Sequence, residues 1–159
     1  DVVRRFREHS VKISKIHLSS ALKVQPTVET REALRKFADG IYFHQVIAQG
    51  VDGLLTRYRD LPDALDRRLP IADRHREEWR IHFHIPLHAQ PTALFDHTTD
   101  HLLGLLDILA AGPTLCSHFE METYTWEVMP APLKDRTVVD QLLSEYEWTL
   151  AQLGERGLA

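Results

Sequence analysis

The chain has 159 residues, of which 43% are hydrophobic and 26% charged, with a formal net charge of −4. This balance predicts one ordinary soluble globular domain and gives no support to nucleic-acid binding by phosphate neutralisation. No run approaches the roughly 18 apolar residues of a membrane span and no signal segment is read; the single cysteine, Cys116, excludes an internal disulfide and fits a reducing, cytoplasmic setting.

Residues 1–9 read as a helix that DVVRRFREHS enters in its middle, so further chain is expected before it. Residues 11–19 alternate as a strand, with Val11, Ile13, Lys15, His17 and Ser19 on one face and Ile16 and Leu18 on the other. A short helix over 28–39 is expected to stop at Gly40, followed by the extended run 41–47 and a helix over 60–69 with Pro62 near its start. EWRIHFHIP (78–86) is a strand with Trp79, Ile81, Phe83 and Ile85 on one face and Arg80, His82 and His84 on the other. A Leu-rich helix over 92–111 ends at Gly112-Pro113. In LCSHFEMETYTW (115–126), His118, Glu120, Glu122 and Tyr124 alternate with Phe119, Met121 and Thr123. The last helix, over 137–153, repeats apolar residues from Val138 to Leu153, with Thr137 and Asp140 as an N-cap pair and Gly154 as its stop.

Strands alternating with helices predict an α/β fold with a parallel sheet. A complete (β/α)8 barrel needs about 200 residues or more, so the expectation is the C-terminal portion of a TIM barrel whose N-terminal strands lie outside this chain. Residues 11–19, 80–85 and 117–123 are then parallel neighbours, with Lys15, His84 and Glu122 opening to one side. The open edges call for the remaining half of the barrel or for self-association.

His82, His84, His118, Glu120 and Glu122 recur at every second position, so each strand aims its polar set one way. Such groups are expensive to enclose without metal, substrate or mutual pairing. Imidazole with carboxylate suits Zn, Mn, Fe or Co. The alternatives are a hydrogen-bonded ladder or a solvated face. Glu122 and His84 lie nearest the strand ends where barrel sites are built, with Glu120 and His82 deeper. Lys15 is a candidate to polarise a carbonyl or move a proton, with an unreactive Lys–Glu pair as its alternative. His17, Ser19, His44, His82 and Trp126 are candidates for substrate contact, although His44 also suits a surface loop and Trp126 also suits packing. His88 is read as a rim or loop residue, His97 and His101 as a solvated helix face, Cys116 as a buried structural thiol, and the paired arginines 4–5 and 67–68 as surface.

The succession KIHLSSAL (15–22), YFHQ (42–45), WRIHFHIP (79–86) and EMETYTWEVMP (120–130) resembles the C-terminal half of the EboE family of metabolite traffic proteins. The resemblance runs from Lys15 to the final helix and implies a barrel of the xylose-isomerase-like, sugar phosphate isomerase/epimerase type. It implies a divalent metal (Zn, Mn, Mg or Co) with Glu122 matching the glutamate that ends the last barrel strand and His84 its counterpart on the preceding strand. His17 stands where many relatives of the superfamily carry Gln, and the other metal carboxylates come from strands that precede this segment. The partners implied are a small polar or sugar-like metabolite and other proteins of the Ebo cluster.

Two functions follow from these readings. One is a metal-dependent sugar-isomerase-like protein in secondary-metabolite precursor processing or export, with Lys15 and His84 as the catalytic candidates. The other is a non-catalytic barrel that binds a metabolite or scaffolds partners. The acidic balance disfavours DNA repair of the endonuclease-IV-like kind, and the long helices disfavour a cupin-type jelly roll.

Overall fold

The computed structural model describes residues 2–38, 40–68, 76–122 and 137–159. In chain order these form α1 (Val2–Glu8), β1 (Ile16–Leu18), β2 (Ser20–Val24), α2 (Val28–Leu34) with a 3-10 turn at Arg35–Phe37, β3 (Val46–Gln49), β4 (Leu55–Tyr58) and α3 (Leu61–Asp66). Then come β5 (Glu78–Ile85), β6 (Asp96–His97), α4 (Thr99–Ala110), β7 (Phe119–Met121) and α5 (Val138–Glu155). The fold is mixed α/β. None of the described helices is long and apolar enough to cross a membrane.

Two sheets share one stretch of chain. β1 pairs with β7 in parallel, His17 opposite Glu120, while beyond Ser19 the same segment continues as β2 in a five-stranded sheet of order β4-β3-β5-β2-β6. All the pairings in that larger sheet are antiparallel, including β2 with β5 from Ser20–Ile85 to Val24–Trp79, and a register shift lies between Ala21 and Leu22. Neither sheet closes. The expected set of three parallel neighbours is therefore corrected: the 119–121 strand runs parallel to 16–18, and 78–85 runs antiparallel to 20–24. The physical reason is that an alternation of period two reports which face a side chain takes and is the same read in either direction along the strand.

Each sheet has its own core. Trp79, Ile81 and Phe83 of β5 are fully buried with Leu22, Val24, Val46 and Ala48, covered by Leu34, Phe37, Leu61 and Leu65. Leu18 packs instead with Leu87, Leu102, Leu106, Leu109 and Leu153, which docks α4 and α5 against the parallel pair. Local signals set the helix starts. Thr27 Oγ1 accepts from Thr30 N, Asp60 Oδ1 accepts from the N–H groups of Leu61 and His44, and Thr137 Oγ1 accepts from Asp140 N at 3.2 Å.

Several boundaries moved. α4 starts at Thr99 because Asp96 and His97 pair with β2 and Thr98 Oγ1 takes the N–H of Ala21. α2 and its 3-10 turn finish at Phe37. α5 runs through Gly154 and stops before Gly157, whose φ of 65° is the left-handed geometry of a helix C-terminus. The hairpin partner β4 carries no alternation of apolar residues and was not anticipated.

The orientation of α5 is the largest departure. An apolar repeat of helical period ordinarily marks the face turned to a core, yet Val139, Leu142, Leu143, Tyr146 and Leu150 are exposed, while Gln141, Glu145 and Thr149 are buried. The inner face is held by Leu153 and Trp148 in the core, by Glu145 Oε1 accepting from Leu87 N at 3.0 Å, and by Thr149 Oγ1 on Met121 Sδ.

Candidate functional site

The parallel register of β1 and β7 places Lys15 and His17 beside Glu120 and Glu122, and β5 adds His82 and His84 at the junction where the chain passes from one sheet to the other. Lys15 Nζ donates to Glu120 Oε2 at 2.6 Å, and the same oxygen lies 3.2 Å from His17 Nε2. The other side of the His17 ring faces Glu122, with Nδ1 3.6 Å from Oε2. Glu122 Oε2 is in turn 4.0 Å from His84 Nδ1, and the His84 and His82 Nε2 atoms are 3.0 Å apart. The run therefore contains three hydrogen-bond distances and two longer electrostatic contacts.

Exposure falls and rises along this run. Lys15, His17, Glu120 and His82 are exposed, Glu122 is half-buried, and His84 is buried. Burial pushes the His84 pKa below its usual value; the Glu122 charge opposes this and His82 reinforces it. The hydrogen bond and charge of Lys15 hold the Glu120 carboxyl below the usual range. Between the two Nε2 atoms one ring must donate and the other accept, so at least one of His82 and His84 is neutral there. A buried neutral imidazole joined to an exposed one is suited to hold a proton and pass it to solvent.

The metal expectation meets a mixed arrangement. The donors are of the right chemistry, but Glu120 is committed to Lys15 and His17, and among the described residues no three His, Cys, Asp or Glu side chains group as a metal site requires.

The remaining candidates lie apart. His44 is buried, its Nδ1–H donating to the His82 carbonyl at 3.2 Å and its ring against Phe83, on the core side of the sheet. Ser19 sits half-buried at the sheet junction, and Trp126 lies outside the described residues. His97 belongs to β6, which removes the helical spacing to His101; both of its ring nitrogens are enclosed without a hydrogen-bond partner. Cys116 is partly exposed rather than a buried thiol, because 115–118 are not strand, and its Sγ donates to the His118 carbonyl. Glu145 escaped the sequence reading: a carboxylate beside an apolar stripe looks like the solvated edge of a helix, and only its contact with Leu87 N reveals it as interior.

An open cavity of about 500 Å³ lies beside the run, lined by Ser14, Lys15, His118, Phe119 and Glu120. A second cleft of about 410 Å³, on the β2–β6 side, holds Lys23, Glu78, Phe95 and Asp96. There Lys23 Nζ is 3.0 Å from Asp96 Oδ2 and 3.6 Å from Asp100 Oδ2. Burial acts to lower the Lys23 pKa, but the bond to Asp96 and the surrounding carboxylates raise it; burial likewise acts against ionised Asp96, and Lys23 outweighs it, so the Asp96 pKa is lowered. A depressed carboxyl stabilises the fold above its unfolded value and loses that contribution as pH falls through the folded one. A raised ammonium loses its contribution as pH rises through its folded value. The pair is thus expected to help across the range between about 3.9 and about 10.4 and to fail at both ends. Denaturant midpoints against pH should show Lys23→Met less stable than wild type by on the order of 1 kcal/mol at neutral pH, the two converging in strong acid. A constant gap down to the lowest pH would exclude Asp96 as the titrating partner.

No protein-family model, curated protein or solved structure matches the chain.

Proposed function

We propose that the chain acts on a small polar, sugar-like metabolite bound over Lys15, His17, His82, His84, Glu120 and Glu122, moving a proton in the manner of a sugar-isomerase-like protein. One observation carries this reading: six ionisable side chains on β1, β5, β7 and the residues flanking them form a run from solvent through buried His84 and back to solvent. Lys15 and His17 offer donors to substrate oxygens at the exposed end. His84, whose pKa burial lowers, offers a base near the end of β5.

A divalent ion (Zn, Mn, Mg or Co) belongs to the same proposal. His82 and His84 are the residues that would hold it: their 3.0 Å Nε2 separation resembles that of neighbouring nitrogens each about 2.0–2.1 Å from one ion. When bound, such an ion polarises carbonyl or hydroxyl oxygens. Glu122 then stands on the Nδ1 side of the His84 ring at 4.0 Å, where its charge raises the basicity of a ligating imidazole. The kinship to the EboE family is part of this reading and rests on the four runs of sequence, with Glu122 directly after β7 of the parallel β1–β7 pair; the antiparallel five-stranded sheet gives no support to the barrel.

Metal content by mass spectrometry and calorimetric titration with a panel of sugars test the proposal. Glu122→Gln is expected to lower metal affinity about 10–100-fold, and Glu120→Gln, whose carboxylate serves Lys15, to lower it less. Equal metal content in both variants and the wild type would remove Glu122 from the site. A non-catalytic carrier or scaffold is the second reading, favoured by the openness of the site: Lys15, His17 and Glu120 are all exposed, and water-excluding walls are what proton transfer at carbon gains most from.

A further inference from the structure

α5 carries an apolar stripe on its outer side, with Val139 69%, Leu143 56%, Tyr146 57% and Leu150 57% exposed. The charged residues of the helix are Asp140, Glu145, Glu147 and Glu155, with no Lys, Arg or His among them. Apolar residues at i, i+4, i+7 and i+11 share one side of a helix, and leaving them in water favours association, because water gains by their removal. α1 has the complementary character. It holds Arg4, Arg5 and Arg7 against the single Glu8, which pairs with Arg4, while Arg7 donates to the Pro113 carbonyl; it has no buried residue, and exposes Val2 at 61% and Phe6 at 37%.

We propose that α5 docks a second copy of this chain, whose α1 lies along the Leu143–Leu150 stripe with Arg5 against Glu147. The contact is reciprocal, α1 of each copy on α5 of the other, which closes a twofold dimer and uses each surface once per chain. Apolar contact between Val2, Phe6 and the leucines supplies the association energy, and the opposite charges set the pairing and orientation. The surface is separate from the His–Glu run, since α5 turns its opposite, polar face toward β7.

Light scattering coupled to size exclusion, over a concentration series of the full chain, provides the test. The wild type is expected to run as a dimer. Leu143→Glu should weaken association by at least about tenfold per contact, counted twice in a symmetric pair. Leu143 is on the outer face, so far-ultraviolet circular dichroism should show the variant folded. Arg5→Glu and Glu147→Arg should each weaken the dimer, and the double variant should recover it. A monomer at every concentration overturns the proposal, as does a dimer indifferent to Leu143→Glu. Loss of the dimer in Leu143→Glu, with no response to either charge reversal, would show α5 pairing with something other than α1 and overturn it equally.

Discussion

Lys15→Met and His84→Ala are expected to cut turnover on a sugar-like substrate by about 10²–10⁴-fold each, the usual loss when a general acid or base is removed, with ligand binding weakened far less. Lys15 begins the electrostatic path in solvent, and His84 is its buried member, one step before the path ends at His82. Lys15 is exposed and bonded to Glu120, whereas His84 is buried and flanked by Glu122 and His82. Because they occupy different places in the path, their pH–rate profiles should differ: loss of Lys15 frees Glu120 toward ordinary carboxylate behaviour, and loss of His84 removes the buried neutral ring. Calorimetry and turnover measured on the same preparations separate the two functions proposed above. Normal ligand binding and normal turnover in both variants would show the path to be structural and leave the carrier or scaffold reading in its place.

Phe83→Ala is expected to destabilise the fold by about 3–5 kcal/mol, and to lower Tm by on the order of 10 °C in a domain of this size. Phe83 is completely buried at the centre of the larger core. Its ring meets Phe37 edge-on at 5.0 Å between centroids and His44 at 4.9 Å. Truncation leaves a cavity bounded by rigid strands, which relax little. It also removes the support of the strand residues on either side, His82 and His84, so the proposed site should loosen with the core. Leu143→Ala serves as the comparison. Although Leu143 is also a large apolar residue in a regular element, it is exposed in the single chain, and at concentrations low enough to keep the chain monomeric its truncation should stay within about 0.5 kcal/mol. Chemical denaturation of the two variants checks both values, and an equal cost would mean that α5 buries its apolar face after all.

Much of the site was legible in the sequence. The alternation in RIHFHIP and HFEMET placed His82 with His84, and Glu120 with Glu122, on common faces, and the pattern around Lys15 and His17 did the same for β1. In the structure all six meet. Trp79, Ile81 and Phe83 were likewise readable as the other face of their strand, and they form the core. His44 was not readable in this way. It stands in an irregular stretch, where no period fixes a face, and its burial comes from the Asp60 cap and the His82 carbonyl, both remote in sequence.

What the amino-acid sequence determines by itself is local: the strand over 78–85, the helices over 28–34, 61–66, 99–110 and 138–155 in their main part, the cap at Thr137, and the side on which each strand carries its ionisable residues. These follow from backbone sterics and from a side-chain period that any short segment contains. Strand direction, the division into two sheets at Ser19, and the turning of α5 to bury Gln141 and Glu145 were decided only by tertiary structure. Each depends on a partner far along the chain, such as Leu87 N for Glu145 or Trp79 for Val24, and hydrogen-bonded pairing between distant strands leaves no periodic trace in either one.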